Sequence, residues 1–261
     1  MSSDFNTIIY QKKDFLAKII LNRPEQRNAI NKELANELNA ALRMAGQDDD
    51  VRVIMVTGAG SAFCAGIDLK VFSQMNSLEF REFFETFYWE MTDIHYTLTK
   101  PTIAVLNGHS LAAGNSIAFS CDMVIASENA RIGYPEVNVG LMPALHLVML
   151  PRLVGRHKAF ELTFTGELIS ATEAARMGLI NRVVPHERLE EEATELAKRL
   201  ASKSPLVIKY NKQAFYRSLD VEFRKAIADV ADVLCVLFNS EDSKEGMRAF
   251  AEKRPPQWKG K

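Results

Sequence analysis

Short β-rich runs separated by helix-length amphipathic stretches constrain this chain more than any other feature. Phe15 to Leu21 reads as a strand closed by the Asn22-Arg23-Pro24 turn. Asn31 is placed to cap a helix whose apolar stripe is Leu34, Leu38, Ala41, Leu42 and Ala45, spaced by threes and fours. Val53 to Val56 is a second strand, running into a small-residue loop from Thr57 to Gly66. Leu78 to Leu98 is aromatic-rich and helical in pattern, and Thr102 to Leu106 is a third strand. After Asn107-Gly108 a small-residue helix begins around Ala112. Strands alternating with helices of this length predict an α/β protein. Further on, Ser170-Ala171-Thr172-Glu173 is a capping-box pattern for a helix that Gly178 ends, and Ile180 to Val184 is a last strand. Ser204 and Pro205 suit the N-cap and first position of another helix. From there to about Lys253 the pattern stays helical, with Asp220 and Ser240 as caps. The reading is one α/β core followed by a mostly helical C-terminal section.

Composition narrows the function classes. Thirty-two basic residues against 33 acidic ones leave a net charge of −1, so no surplus exists to neutralise a nucleic acid backbone. A hydrophobic content of 47% at that charge excludes intrinsic disorder. Cys64, Cys121 and Cys235 are an odd number without CxxC spacing, which argues against a disulfide framework or a zinc site. No run approaches the ~18 apolar residues of a membrane span, and the first residues lack a signal peptide's apolar segment. A cytoplasmic protein without membrane or nucleic acid partners is expected.

Several short motifs compete. Gly58-Ala59-Gly60 after a strand invites a dinucleotide-loop reading, but Phe63 stands where the third glycine belongs. Asp48-Asp49-Asp50 reads as a solvated turn rather than a metal site. Gly108-His109-Ser110-Leu111-Ala112 resembles the nucleophile elbow of an α/β-hydrolase except at its fifth position, and that alternative requires Ser110 as nucleophile. Two further loops make sense together. Ser61 to Leu69 and Leu111 to Ser116 both follow strands and are rich in small residues, and the second opens a helix. Such loops can either pack tightly or aim two backbone N–H groups at one developing oxyanion.

At this point the sequence resembles the enoyl-CoA hydratase/isomerase (crotonase) superfamily over some 240 residues. The matching stretches are Leu21-Asn22-Arg23-Pro24, Ser61 to Leu69, Asn107-Gly108 with its loop, Pro135 to Leu141, Pro151 to Gly155, Phe164-Thr165-Gly166 and Glu245 to Arg254. The resemblance implies a crotonase-like spiral core of ββα units, here residues 1–200, and a C-terminal helical trimerisation region, residues 201–261. It implies a homotrimer or dimer of trimers. It also implies an acyl-CoA thioester substrate, with coenzyme A entering only as part of that substrate and no metal. The thioester carbonyl would lie between the N–H groups of Ile67 and Ala113. Arg27, Ala29, Ala65, Gly66, Asp68, Leu69 and Lys70 fall on the CoA side. Phe250 and Lys253 would reach the CoA of a neighbouring subunit.

The carboxylates decide the reaction. Hydratases of this family carry two glutamates, and here the second is Glu136 while the first position is Ser116. A serine hydroxyl has no low pKa with which to shuttle a proton. A single base that removes and returns a proton suits double-bond isomerisation, which is the expectation here. Hydration of an unusual acyl group and CoA-thioester binding without turnover are the alternatives. Burial beside an apolar acyl chain should raise the Glu136 pKa. Pro143-Ala144-Leu145-His146-Leu147 replaces the family's glycine-rich run, so the acyl pocket should be reshaped around His146. That histidine is read as a partly buried structural residue, with a substrate contact or an acid/base role as the alternatives, and Ser116 as pocket lining.

Overall fold

Among the described residues, ten strands and twelve α-helices are arranged so that the longest apolar runs share one sheet. The structure is a computed structural model that describes residues 5–261. The strands are β1 (Ile8–Lys13), β2 (Leu16–Leu21), β3 (Val53–Gly58), β4 (Ala62–Cys64), β5 (Thr102–Leu106), β6 (His109–Leu111), β7 (Met123–Ser127), β8 (Arg131–Gly133), β9 (Leu168–Ser170) and β10 (Arg182–Val184). The first sheet has the order β1-β2-β3-β5-β7-β10 and is parallel apart from the β1–β2 hairpin. The second has the order β4-β6-β8-β9. Three times the chain leaves the first sheet and joins the second within three or four residues, from β3 to β4, β5 to β6 and β7 to β8. Repeated with a helix between turns, that step makes the spiral of ββα units that the family resemblance implies.

Burial of β3 and β5 on both faces explains their unbroken apolar runs. Ile54, Val56, Ala104 and Leu106 face the main core, which includes helix α1 (Lys32–Gln47). Val53, Met55, Ile103 and Val105 face a second core. Phe15 is not a strand residue. Asp14 and Phe15 form the hairpin turn with φ of 51° and 66°, and the Arg52 guanidinium lies 4.4 Å over the Phe15 ring.

The remaining helices are α2 (Leu69–Phe72), α3 (Ser77–Phe84), α4 (Glu90–Thr97), α5 (Ala113–Ser120), α6 (His146–Val154), α7 (Arg156–Thr165), α8 (Ala171–Arg176), α9 (Leu189–Ala201), α10 (Pro205–Leu219), α11 (Phe223–Phe238) and α12 (Glu241–Ala251). Leu189, Ala193, Leu196 and Ala197 of α9 close the second core. Asn31, Ser170, Ser204 and Ser240 cap helices as their sequence context predicts. Asp220 does not cap the following helix. It closes α10, and the Glu222 carboxylate caps α11 by accepting from the Arg224 and Lys225 N–H groups. The last strand begins at Arg182 rather than Ile180, because Ile180 belongs to the core beside Leu179. The aromatic 78–98 stretch is helical but interrupted by a π-helical turn, Glu85–Trp89.

One buried ionic cluster fastens the C-terminal helices to the core. Lys212 of α10 donates to Asp122 at 2.7 Å and to the Lys100 carbonyl at 3.0 Å, while the Tyr216 hydroxyl donates to Asp122 at 2.7 Å. Asp122 also accepts from the Thr102 N–H and hydroxyl of β5. No helix among the described residues is long and apolar enough to cross a membrane. Because Lys212 is buried, removing its partner leaves an uncompensated charge. Asp122→Ala should therefore cost about 3 kcal/mol of stability, and Asp122→Asn less, as measured by urea unfolding.

Candidate active site

The site begins where two loops touch. Gly66 has φ +101°, and a Cβ there would meet the Ala112 Cβ at 2.9 Å and the Leu111 carbonyl at 3.2 Å. The Ile30 N–H donates to the Gly66 carbonyl at 2.8 Å, and the Asp68 N–H to the Ile30 carbonyl at 2.9 Å. That bridge fixes the peptides on either side of Ile67 and leaves the Ile67 N–H without an acceptor among the described residues. In the facing loop Ala112 has φ 51° and ψ −126°, a rare conformation for a residue with a Cβ. The Gly133 carbonyl of β8 holds it there, accepting from the Ala112 N–H at 3.0 Å and the Asn115 amide at 2.8 Å. Ala113 opens α5 as its first residue, and its N–H is likewise unpartnered among the described residues. Gly114 lets this helix end press on β4, where a Cβ would stand 2.4 Å from the Cys64 carbonyl.

A turn between β2 and α1 braces the first loop. Its centre is Asn28, wholly buried with φ 57°, whose side-chain amide faces the carbonyls of Ala59, Ala62 and Phe63 at 2.9–3.1 Å. The Asn28 side-chain oxygen accepts from the Arg23 N–H at 2.9 Å. The Ala65 N–H donates to the Arg27 carbonyl. Arg23 pairs with Asp68 at 3.1 Å and also donates to the Ala29 carbonyl. Arg27, Ala29, Ala65 and Asp68 are thus joined in one brace. Leu69 and Lys70 follow on α2 with exposed side chains. Sequence reasoning singled out Arg27 and Ala29 but missed Asn28. The available signal was an asparagine, the residue that tolerates left-handed backbone, just after a Pro-led turn.

Glu136 sits in a 3-10 turn, Pro135–Val139, entered directly from β8. One carboxylate oxygen is buried and has no hydrogen-bond partner. Burial pushes its pKa up to about 7, partly opposed by its own backbone N–H. Glu136 in turn helps raise the phenols of Tyr88 and Tyr134, for which burial is the larger cause. Tyr134 is wholly buried with an unpartnered hydroxyl, and Tyr88 is delivered by the π-helical turn. Such turns frequently mark functional sites.

One turn along α5 from Ala113, Ser116 Oγ lies 3.0 Å from His146 Nε2, and both residues are buried. The His146 ring packs 4.6 Å from that of Tyr134. Burial drives the His146 pKa down to about 3, against a weaker pull upward from the Ala112 carbonyl. The pair is therefore neutral near pH 7. Nothing in the sequence joined Ser116 to His146, which are 30 residues apart.

Other candidates fall away. Ser110 lies inside β6, wholly buried, with no partner for its hydroxyl, so it is no nucleophile elbow. That overturns the hydrolase alternative, because an elbow exposes its serine at a strand-to-helix turn. Phe250 is exposed at the end of α12, and Lys253 follows with φ 53°. Neither has a hydrogen bond, ion pair or ring contact with the residues around Glu136 among the described residues. No group of three or more potential metal ligands occurs among the described residues.

Comparison with known proteins places this geometry. The family model for enoyl-CoA hydratase/isomerase matches residues 11–261. The chain belongs to the enoyl-CoA hydratase/isomerase family. It is 37% identical over 255 residues to the short-chain-enoyl-CoA hydratase of Clostridium acetobutylicum, covering 96% of this chain and 97% of that protein. It is 36% identical to the crotonyl-CoA hydratase of Syntrophomonas wolfei, covering 96% of both. Among solved structures, an enoyl-CoA hydratase from Bacillus anthracis superposes with a TM-score of 0.94 at 35% identity, covering 98% of this chain and 100% of that one. The chain is thus an acyl-CoA enzyme of this family.

Two outcomes follow from the site's physics. Asn28→Ala removes several buried hydrogen bonds and should cost about 2–3 kcal/mol, read by urea unfolding. Glu136 has a folded pKa of about 7, above the ordinary carboxyl value of 4.5. Its contribution to stability is full below about 4.5 and is lost as pH rises through about 7. Glu136→Gln should therefore raise the thermal midpoint more at pH 8 than at pH 5, as measured by calorimetry.

Proposed function

We propose that the protein moves a proton on an enoyl-CoA thioester with Glu136 as its one base, and that double-bond isomerisation is its principal reaction. The observation that carries this reading is the buried, unpartnered Glu136 oxygen with a pKa of about 7, on a segment that the Gly133 carbonyl ties to the Ala113 loop. A thioester carbonyl set between the Ile67 and Ala113 N–H groups would stabilise an enolate, each donor being worth roughly a hundred- to thousand-fold in rate. Glu136 would take a proton from C2 of a 3-enoyl thioester. The electron pair of that C–H bond becomes the enolate, and the proton returns at C4. One carboxylate suffices, because the same group removes and delivers the proton. Arg27, Ala29, Ala65, Gly66, Asp68, Leu69 and Lys70 would flank the coenzyme A portion.

Hydration is the second reading, favoured by the names of the relatives, a short-chain-enoyl-CoA hydratase and a crotonyl-CoA hydratase. A trimer belongs to the same reading. Phe223, Ile227, Leu234 and Phe238 of α11 are all more than half exposed, as the face of an assembling helix would be. Light scattering after gel filtration tests it, and a monomer would refute it.

Incubating 3-hexenoyl-CoA and 2-hexenoyl-CoA in D2O with mass spectrometric detection tests the chemistry. Migration of the double bond with deuterium incorporation is expected. Glu136→Gln should slow it by about a thousandfold, within the range for a general base. The wild-type rate should rise with pH and level off above about 7, where Glu136 is ionised. Migration that survives Glu136→Gln would overturn the reading.

A further inference from the structure

We propose that His146 is a positioning residue that holds the Ser116 hydroxyl, and that this pair keeps nucleophilic water away from the acyl β-carbon and so confines the enzyme to proton transfer. The inference rests on the one-base reading and names the residues that determine which reaction follows the enolate.

The geometry begins with helix α5. Ala113 supplies an unpartnered N–H at its first position, and Ser116 lies one turn further along the same helix. A substrate carbonyl held at Ala113 would have its β-carbon within about one helix turn of Ser116. Ser116 has no exposed surface, and its oxygen is 3.0 Å from His146 Nε2. His146 stands at the first position of α6, where its own N–H donates to the Pro143 carbonyl at 2.9 Å. Tyr134 closes another side, its ring 4.6 Å from the imidazole. The serine hydroxyl is thus held in one direction by a ring that is itself packed in place.

The electrostatics also oppose a proton-shuttling role. Ser116 lies in the first turn of α5 and His146 in the first turn of α6, so two positive helix ends disfavour an imidazolium. Burial acts in the same direction. Water addition to a 2-enoyl thioester forms an O–C3 bond, sends the π electrons to the thioester oxygen, releases one water proton and delivers another to C2. Glu136 can supply the C2 proton, but a serine hydroxyl and an imidazole whose basicity burial suppresses are poor acceptors for the other. Isomerisation asks nothing of this position.

The test compares wild type, Ser116→Glu/His146→Gly, His146→Ala and His146→Gln on 2-hexenoyl-CoA in D2O. Mass spectrometry counts hydrated product, heavier by one water, against migrated and deuterium-exchanged product. Wild type should yield migration with hydration below a hundredth of it. The double variant, which supplies a carboxylate and the space for water, should raise the hydration-to-migration ratio about a hundredfold. His146→Ala should raise the ratio about tenfold by freeing Ser116 for a water, and His146→Gln, a neutral hydrogen-bonding replacement, should restore it. A purely structural role would change total rate and leave the ratio alone. The proposal fails if wild type hydrates efficiently and His146→Ala slows that hydration, because the pair would then be the water's partner. It also fails if the ratio is unmoved in both the double variant and His146→Ala. Loss of the Glu136 reading is seen separately, as migration and exchange that persist in Glu136→Gln.

Discussion

A single carbonyl, that of Gly133, sets the relation between the groups that matter most. It accepts the Ala112 N–H and the Asn115 side chain, and so holds the start of α5 in its unusual conformation. Three residues later the same chain carries Glu136. The unpartnered Ala113 N–H and the carboxyl are therefore positioned by one short stretch of β8, not by independent loops. Sheet pairing makes this possible, because β8 lies beside β6 and β6 leads straight into α5. The spiral matters to the chemistry for this reason: each turn ends its short strand at the same edge, and three turns bring three loops together.

The groups gathered at that edge share one property, which is polar capacity that the protein leaves unused. The Ile67 and Ala113 N–H groups, one Glu136 oxygen and the Tyr134 hydroxyl all lack partners among the described residues. Leaving a buried donor or acceptor unsatisfied costs about 1–3 kcal/mol. A chain selected for stability alone would pair these groups or replace them with apolar ones. Held in place by the Asn28 brace and the Gly133 carbonyl, they are oriented before any ligand arrives, the condition under which fixed dipoles act most strongly on developing charge.

Much of this was legible in the sequence, for identifiable reasons. β3 and β5 are largely apolar runs because both faces are covered, and helix starts at Asn31, Ser204 and Ser240 carry residues that cap. The three-residue strands β4, β6, β8 and β9 were not legible. Their membership of a sheet comes from stacking of successive turns, and no local periodicity encodes it. Resemblance to a family pointed to Ile67, Ala113 and Glu136 by position. It pointed to Ser116 and His146 separately, as lining residues. Their pairing was invisible because it crosses from α5 to α6, and only the folded chain brings a serine and a histidine within 3.0 Å.

That pairing bears on how a site with one carboxylate stays coherent. Two like charges in a buried site push one of their pKa values up, so a second carboxylate would disturb the first. With a neutral serine at position 116, the Glu136 pKa is raised by burial, partly opposed by its own backbone N–H, and comes to rest near 7, where a carboxyl can both accept and release a proton. His146 completes the arrangement without disturbing it. A charged imidazole nearby would favour ionised Glu136 and lower its pKa, weakening it as a base. Burial and two helix N-termini keep the ring neutral, so the electrostatic character of the site is set by one titrating group.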